Sequence, residues 1–96
     1  MSRIDLVEVS PRDGLQNDPA SLSTGQKVEL VSRCVSAGLR RVEVASFVDP
    51  RRVPAMADSD EVVRGVRDRC GSRGSWIGLV LNERGFERAL VAGVDE

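Results

Sequence analysis

Three short apolar runs, Ile4–Val9, Val42–Ser46 and Trp76–Leu81, recur along the chain. Each is rich in β-branched or aliphatic residues, and none alternates cleanly between apolar and polar positions. Strands of a parallel sheet read that way. Helical patterns lie between and after them. Ser23 and Gln26 have the spacing of a capping box. Val28, Val31 and Val35 then repeat at i, i+3 and i+7, with Leu30, Cys34 and Ala37 widening the stripe, and Gly38 stands where a C′ residue ends such a helix. A second helix is expected to start near Asp58 or Ser59, to carry Val62, Val63, Val66 and Cys70 on its apolar face, and to stop at Gly71. Asn82 is a good N-cap for a third, with Phe86, Ala89 and Leu90 as its apolar face and Gly93 at its end.

Two of these helix ends match. Ser36-Ala37-Gly38-Leu39 leads into the second strand, and Val91-Ala92-Gly93-Val94 has the same form, so a fourth strand is expected to begin after it. Strands alternating with helices predict a parallel sheet joined by right-handed crossovers. The expected fold is α/β: a partial (β/α)8 TIM barrel holding about the first three βα units. Such a barrel takes about 250 residues, so the 96 residues here amount to somewhat over a third of one. No linker composition or low-complexity stretch interrupts them.

Composition narrows the function classes. The chain is 41% hydrophobic and 30% charged, with 14 basic and 15 acidic residues and a net charge of −1. That balance gives no footprint for nucleic acid or an anionic membrane. Arg51-Arg52 and Arg67 to Arg69 have no aromatic residues interleaved among them, so they read as solvated surface. The longest apolar run, Trp76–Leu81, is far too short for a membrane span. No secretory or transit pattern precedes the first strand, so a cytoplasmic location is expected. Cys34 and Cys70 fit no zinc or redox spacing and read as small buried hydrophobes. The chain holds no histidine, which excludes a His base or ligand from these residues. Thirteen of the basic residues are arginine against one lysine, a bias associated with GC-rich bacterial genomes.

The chemistry concentrates in Val9-Ser10-Pro11-Arg12-Asp13-Gly14-Leu15-Gln16-Asn17. A cation and an anion, Arg12 and Asp13, stand where the first strand emerges into a loop, the end at which α/β proteins carry their sites. A carboxylate there suits a hard divalent cation, and a guanidinium can stabilise negative charge on a carbonyl oxygen. The plainer alternative is a surface ion pair in a Pro/Gly turn. Glu43 is a carboxylate inside the second strand, and buried charges are seldom left unpaired. It either faces a barrel interior, where it partners Arg12 or orders a metal site, or forms a structural salt bridge to an arginine such as Arg41. The segment from Ser46-Phe47-Val48-Asp49-Pro50 to Val53-Pro54-Ala55-Met56-Ala57-Asp58 is long for a βα loop. It is either functional or a rigid Pro-rich connector. Asn82 is either a helix cap or a polar ligand contact.

Together these residues resemble the 3-hydroxy-3-methylglutaryl-CoA lyase family. The likeness runs from Glu8–Asn17 through Lys27, Leu30 and Ala37-Gly38-Leu39 to Val42-Glu43 and Ser46-Phe47-Val48. It continues with Pro50, Val53-Pro54, Met56-Ala57-Asp58 and Glu61-Val62, and ends with Asn82, Gly85-Phe86-Glu87 and Ala92-Gly93. The resemblance implies that residues 1–96 are the N-terminal part of a single TIM-barrel lyase domain, incomplete at the C-terminus and inactive alone. The whole enzyme would cleave 3-hydroxy-3-methylglutaryl-CoA to acetoacetate and acetyl-CoA with Mg²⁺ or Mn²⁺, in leucine degradation and ketone-body metabolism. Asp13 would correspond to the metal ligand. Arg12 would bind substrate and stabilise enolate-like charge, Glu43 would be the second-strand active-site carboxylate, and Gln16 would line the substrate pocket. The partner would be an acyl-CoA substrate, with no nucleic acid and no membrane, and the full-length protein would be a homo-oligomer. Leu81 stands where the family usually has proline, and Asp49 where serine is common. The family's His-x-His pair, its asparagine ligand and its Gly-rich cysteine loop have no counterpart in these residues. Two other readings share the residues: a Claisen-type synthase of the isopropylmalate or citramalate kind, and a non-catalytic truncated module.

Overall fold

The computed structural model describes residues 6–9, 11–12 and 22–96. Among these, β1 (Val7–Glu8), β2 (Arg41–Ser46) and β3 (Ser75–Leu79) alternate with α1 (Thr24–Ser36), α2 (Ser59–Cys70) and α3 (Glu83–Ala92). The strands form one parallel sheet in the order β1-β2-β3. This is the expected strand–helix alternation, with β3 starting one residue earlier and stopping two earlier than the apolar run suggests, and with β1 shorter than the expected Ile4–Val9, since Leu6 and Val9 are exposed and lie outside the strand. The residues expected at the start of the first strand, before Leu6, lie outside the described ones.

The helix ends form for local reasons. Ser23 accepts a hydrogen bond from the Gln26 amide at 3.2 Å, and the Gln26 side chain accepts one from the Ser23 amide at 2.8 Å, so the capping box is complete. Asn82 Oδ1 accepts from the Gly85 amide at 2.8 Å. Gly38 and Gly93 end their helices at φ of +100° and +92°, left-handed conformations that favour a residue without a Cβ.

One core holds the layers together. Val28, Val31 and Val35 of α1, Val62, Val63, Val66 and Cys70 of α2, and Ala89 and Ala92 of α3 join Val42, Val44, Ala45, Phe47 and Trp76 in a single cluster. Each fully buried valine contributes about 1.5–3 kcal/mol. Because all three helices share one cluster with the same residues of β2, they cover one face of the sheet. Arg41 and Glu43, at the alternate positions of β2, are only partly buried and belong to the other face. A doubly wound sheet would carry helices on both faces. Helices on one side of a parallel sheet are the arrangement that a segment of a (β/α)8 barrel would have.

The last residues extend the sheet. The Asp95 amide donates to Trp76 O at 2.8 Å and the Gly78 amide donates to Glu96 O at 3.0 Å, the slanted pattern of a parallel ladder. The strand expected after Val94 therefore begins to pair with β3. Asp95 also accepts from Arg67 at 2.8 Å and from the Trp76 amide at 2.9 Å.

Helix α3 departs from expectation. Its buried face is Gly85, Ala89 and Ala92, whereas Phe86 and Leu90 are 55% and 61% exposed. The small residues let α3 approach the sheet closely. A Cβ on Gly85 would fall deep inside van der Waals contact of the Phe47 carbonyl oxygen. Gly85→Ala gains about 1 kcal/mol of helix propensity, but the clash decides the sign. The substitution is expected to lower stability by about 2 kcal/mol, read as a lower urea midpoint at unchanged m.

Candidate active site

Arg12 leaves the carboxyl end of β1, and its guanidinium meets Glu43 of β2. Both its Nε and Nη2 reach Glu43 Oε1. The two side chains are 15% and 16% exposed, so the pair is largely removed from water. Of the alternatives open for Glu43, the structure takes the pairing with Arg12. Arg41 instead binds Glu96 through Nε at 3.1 Å. The pairing stretches across the helix-free face of the sheet, and the planar fork of Arg12 is oriented by its neighbour strand. Asp13, Gly14 and Gln16 lie outside the described residues.

The β2–α2 connection is built, not loose. Asp49 Oδ1 accepts from the Arg51 amide at 3.0 Å, an Asx turn that starts the loop. A single 3₁₀ turn, Pro54–Met56, then buries Met56. The hydroxyl of Ser59, buried at the start of α2, reaches Ser46 O at 2.8 Å and Met56 O at 2.7 Å. Lys27, 5% exposed, extends from α1 to Ala55 O and to Asp58 Oδ1, each at 2.5 Å. Thr24 Oγ1 donates to Asp58 Oδ2 at 2.6 Å. Asp58 sits at the N-cap of α2 but makes no side-chain cap bond, because Lys27 and Thr24 hold its carboxylate. This clamp fixes the loop against α1.

Arg88 of α3 closes the loop from the other side. It donates to Val48 O at 3.3 Å and to Asp60 Oδ1 at 3.2 Å, and its guanidinium carbon lies 5.5 Å from the Phe47 ring centroid, in cation–π range. In the sequence Lys27 stands out only through family likeness, Asp58 and Ser59 mark the end of the loop and the start of α2 with no sign of their partners, and Arg88 carries no signal. Lys27 is the chain's one lysine and interrupts an apolar helix face. That oddity was the available signal, but a partner 31 positions away is not legible from spacing.

The cation question is narrower. Among the described residues no group of three or more Cys, Asp or Glu side chains could hold a metal ion, and Glu43 is committed to Arg12. These residues alone do not make a site for a cation that wants six or more oxygens. The cysteines offer no nucleophile in its place. They are unbridged, Cys70 buried and Cys34 only half-buried, which corrects the expectation that both are buried. Burial, with the negative charge of Glu8, pushes the Cys34 thiol up, away from the reactive thiolate.

Comparison with known proteins places these features in context. Residues 3–96 match the family model described as HMGL-like. The chain is 47% identical over 94 residues to the 3-hydroxy-3-isohexenylglutaryl-CoA/hydroxy-methylglutaryl-CoA lyase of Pseudomonas aeruginosa, covering 98% of this chain and 31% of that protein. It is 40% identical over 102 residues to the (R)-citramalyl-CoA lyase of Chloroflexus aurantiacus, covering 98% of this chain and 32% of the relative. The solved HMG-CoA lyase of Acinetobacter baumannii, in complex with coenzyme A and 3-methylmalate, superposes with a TM-score of 0.86 at 36% identity, over 94% of this chain and 29% of that one. The chain thus spans about a third of the length of these relatives.

The clamp generates a prediction. Burial pushes the Asp58 carboxyl up, but the hydrogen bonds from Lys27 and Thr24 outweigh it and hold the group below its ordinary value. A carboxylate depressed in the folded state stabilises above its unfolded pKa, about 3.9, and loses that contribution as pH falls through the folded value. Asp58→Asn is therefore expected to be less stable than the parent near neutral pH, and the gap should close below about pH 4. Urea midpoints of both proteins across pH 3–7 check this.

Proposed function

This chain belongs to the HMGL-like family, and from that premise we propose that it supplies the first βα units of a TIM-barrel lyase that breaks a carbon–carbon bond in an acyl-CoA. The substrate we propose is 3-hydroxy-3-methylglutaryl-CoA, cleaved to acetoacetate and acetyl-CoA. The observation that carries the reading is the Arg12–Glu43 pair on the helix-free face of the sheet. As the bond breaks, its electron pair moves toward the thioester carbonyl and charge gathers on that oxygen. A guanidinium already oriented by a carboxylate stabilises that charge without reorganising. Glu43 acts on the substrate side by fixing that orientation. Gln16 is proposed to line the pocket.

The cofactor is proposed to be Mg²⁺ or Mn²⁺, with Asp13 as the ligand this chain contributes. The other ligands would come from beyond these 96 residues. The free thiols support a reducing, cytoplasmic compartment, and the assembled enzyme is proposed to be a homo-oligomer. The similarity to a citramalyl-CoA lyase favours one variation on the same chemistry, a different acyl group at the same thioester.

A chimera tests the reading. Residues 1–96 replace the matching first third of the Pseudomonas aeruginosa lyase, and cleavage of 3-hydroxy-3-methylglutaryl-CoA is measured. The chimera is expected to be active. Arg12→Lys within it should lower turnover by about a hundredfold or more with the circular dichroism spectrum unchanged, because the ammonium cannot reproduce the planar fork. Unchanged turnover would assign Arg12 a structural role.

A further inference from the structure

A second polar site lies beside the loop that leaves β2. The turn of Phe47, Asp49 and Arg51 and the first turns of α3, with Arg84, Gly85 and Arg88, enclose a cleft of about 750 Å³, within the range of small-molecule sites. Three arginines line it against one acidic residue, Asp49. They are not equivalent. Arg88 is a fixed wall, held by Val48 O, Asp60 and the Phe47 ring. Arg51 is paired with Asp49 at 3.1 Å. Arg84 is exposed and makes no ion pair or side-chain hydrogen bond among the described residues, although Asp60 and Glu87 line the shallower groove beside it. The floor is backbone, since Gly85 leaves α3 in contact with the Phe47 carbonyl. The Asn82 side chain occupies the Gly85 amide, so the amides of Glu83 and Arg84 have no partner within the helix.

We propose that this cleft binds a phosphate group of the coenzyme A moiety, with Arg84 as the principal ligand and Arg88 and Arg51 supplying the surrounding positive field. The inference rests on the acyl-CoA reading above and adds to it the place where the nucleotide end is held. The chemistry favours a phosphate over a carboxylate or an apolar group. The charge excess is cationic, and the free group is an arginine, whose fork matches phosphate oxygens. The location also fits. Phe47 lies four residues beyond Glu43, and at about 3.3 Å per strand residue the cleft stands on the order of 13 Å from the Arg12–Glu43 pair. The pantetheine arm is the part of the molecule that spans such a gap between its thioester and its phosphates.

The test is calorimetric titration of the chimeric lyase that carries residues 1–96, and of its Arg84→Glu and Arg84→Lys variants, with coenzyme A and with dephospho-coenzyme A. The exposed position of Arg84 leaves folding unaffected, which circular dichroism verifies. Arg84→Glu is expected to weaken coenzyme A about tenfold or more, the value of one charge-assisted hydrogen bond, while Arg84→Lys retains most of the affinity. Weakening for coenzyme A alone supports the proposal with the 3′-phosphate in the cleft, and weakening for both ligands supports it with the pyrophosphate there. Equal affinity in parent and Arg84→Glu, or no binding of either ligand to the parent, overturns it. The outcome is separable from the lyase reading. A chimera that cleaves substrate while its coenzyme A affinity ignores Arg84 sinks the cleft alone. Arg84-dependent binding without cleavage sinks the lyase assignment alone.

Discussion

Everything in this molecule hangs on the two faces of β2. Val42 and Val44 are fully buried against the helices, and the residues between them, Arg41 and Glu43, are charged. A strand with charges at alternate positions cannot be covered by helices on both sides, because each unpaired buried charge costs several kcal/mol. The helices are accordingly gathered on the valine face, and the other face answers charge with charge. Glu43 meets Arg12, and Arg41 meets Glu96. Burial alone does not make the Arg12–Glu43 pair stabilising, since desolvation offsets much of the attraction. Its value is orientation: two strands must be in register for the fork and the carboxylate to meet.

The same logic explains the long connection after β2. A chain leaving a strand at Ser46 and entering a helix at Ser59 has backbone groups to satisfy, and polar side chains from outside the loop do it. Ser59 turns back to the Ser46 and Met56 carbonyls. Lys27 reaches in from α1 with its aliphatic stem buried and its ammonium on Ala55 O and Asp58, the snorkelling habit of lysine turned inward. Arg88 does the same from α3. The loop is thereby held by α1, α2 and α3, a rigidity that composition alone leaves open between connector and functional segment.

Much of this was legible along the sequence, for reasons that separate local from distant effects. The capping box at Ser23, the Asn82 cap and the helix-ending glycines are local hydrogen-bond and conformational rules, and each is found. The valine stripes of α1 and α2 follow from periodicity. Where one element chooses among several partners, periodicity fails. Periodicity predicts Phe86, Ala89 and Leu90 as the apolar face of α3; Ala89 is buried as expected, but its companions in the core are Gly85 and Ala92. The deciding force is backbone approach to the Phe47 carbonyl, which no property of α3 alone encodes. The pairing of Glu43 was open between Arg12 and Arg41 for the same reason, and the choice is made by strand order. The metal ligand and pocket residue implied by family likeness, Asp13 and Gln16, fall outside the described residues.

A break in register gives β2 its last property. Glu43 pairs with Ile77, yet Ala45 pairs with Gly78, so β2 gains one residue on β3 between them. Bulges of this kind re-aim the residues that follow. Strict alternation would place Phe47 on the same face as Arg41 and Glu43. The core instead takes Val42, Val44, Ala45 and Phe47, a sequence of positions that only a one-residue shift allows. The ring thus comes to lie under Arg88, its carbonyl against Gly85, and Ser46 is left with a buried hydroxyl that has no hydrogen-bond partner among the described residues. One extra residue therefore connects the charged face to the arginine-lined cleft: Glu43 stays with Arg12, and Phe47, just past the end of β2, builds the wall on which α3 and its arginines are mounted.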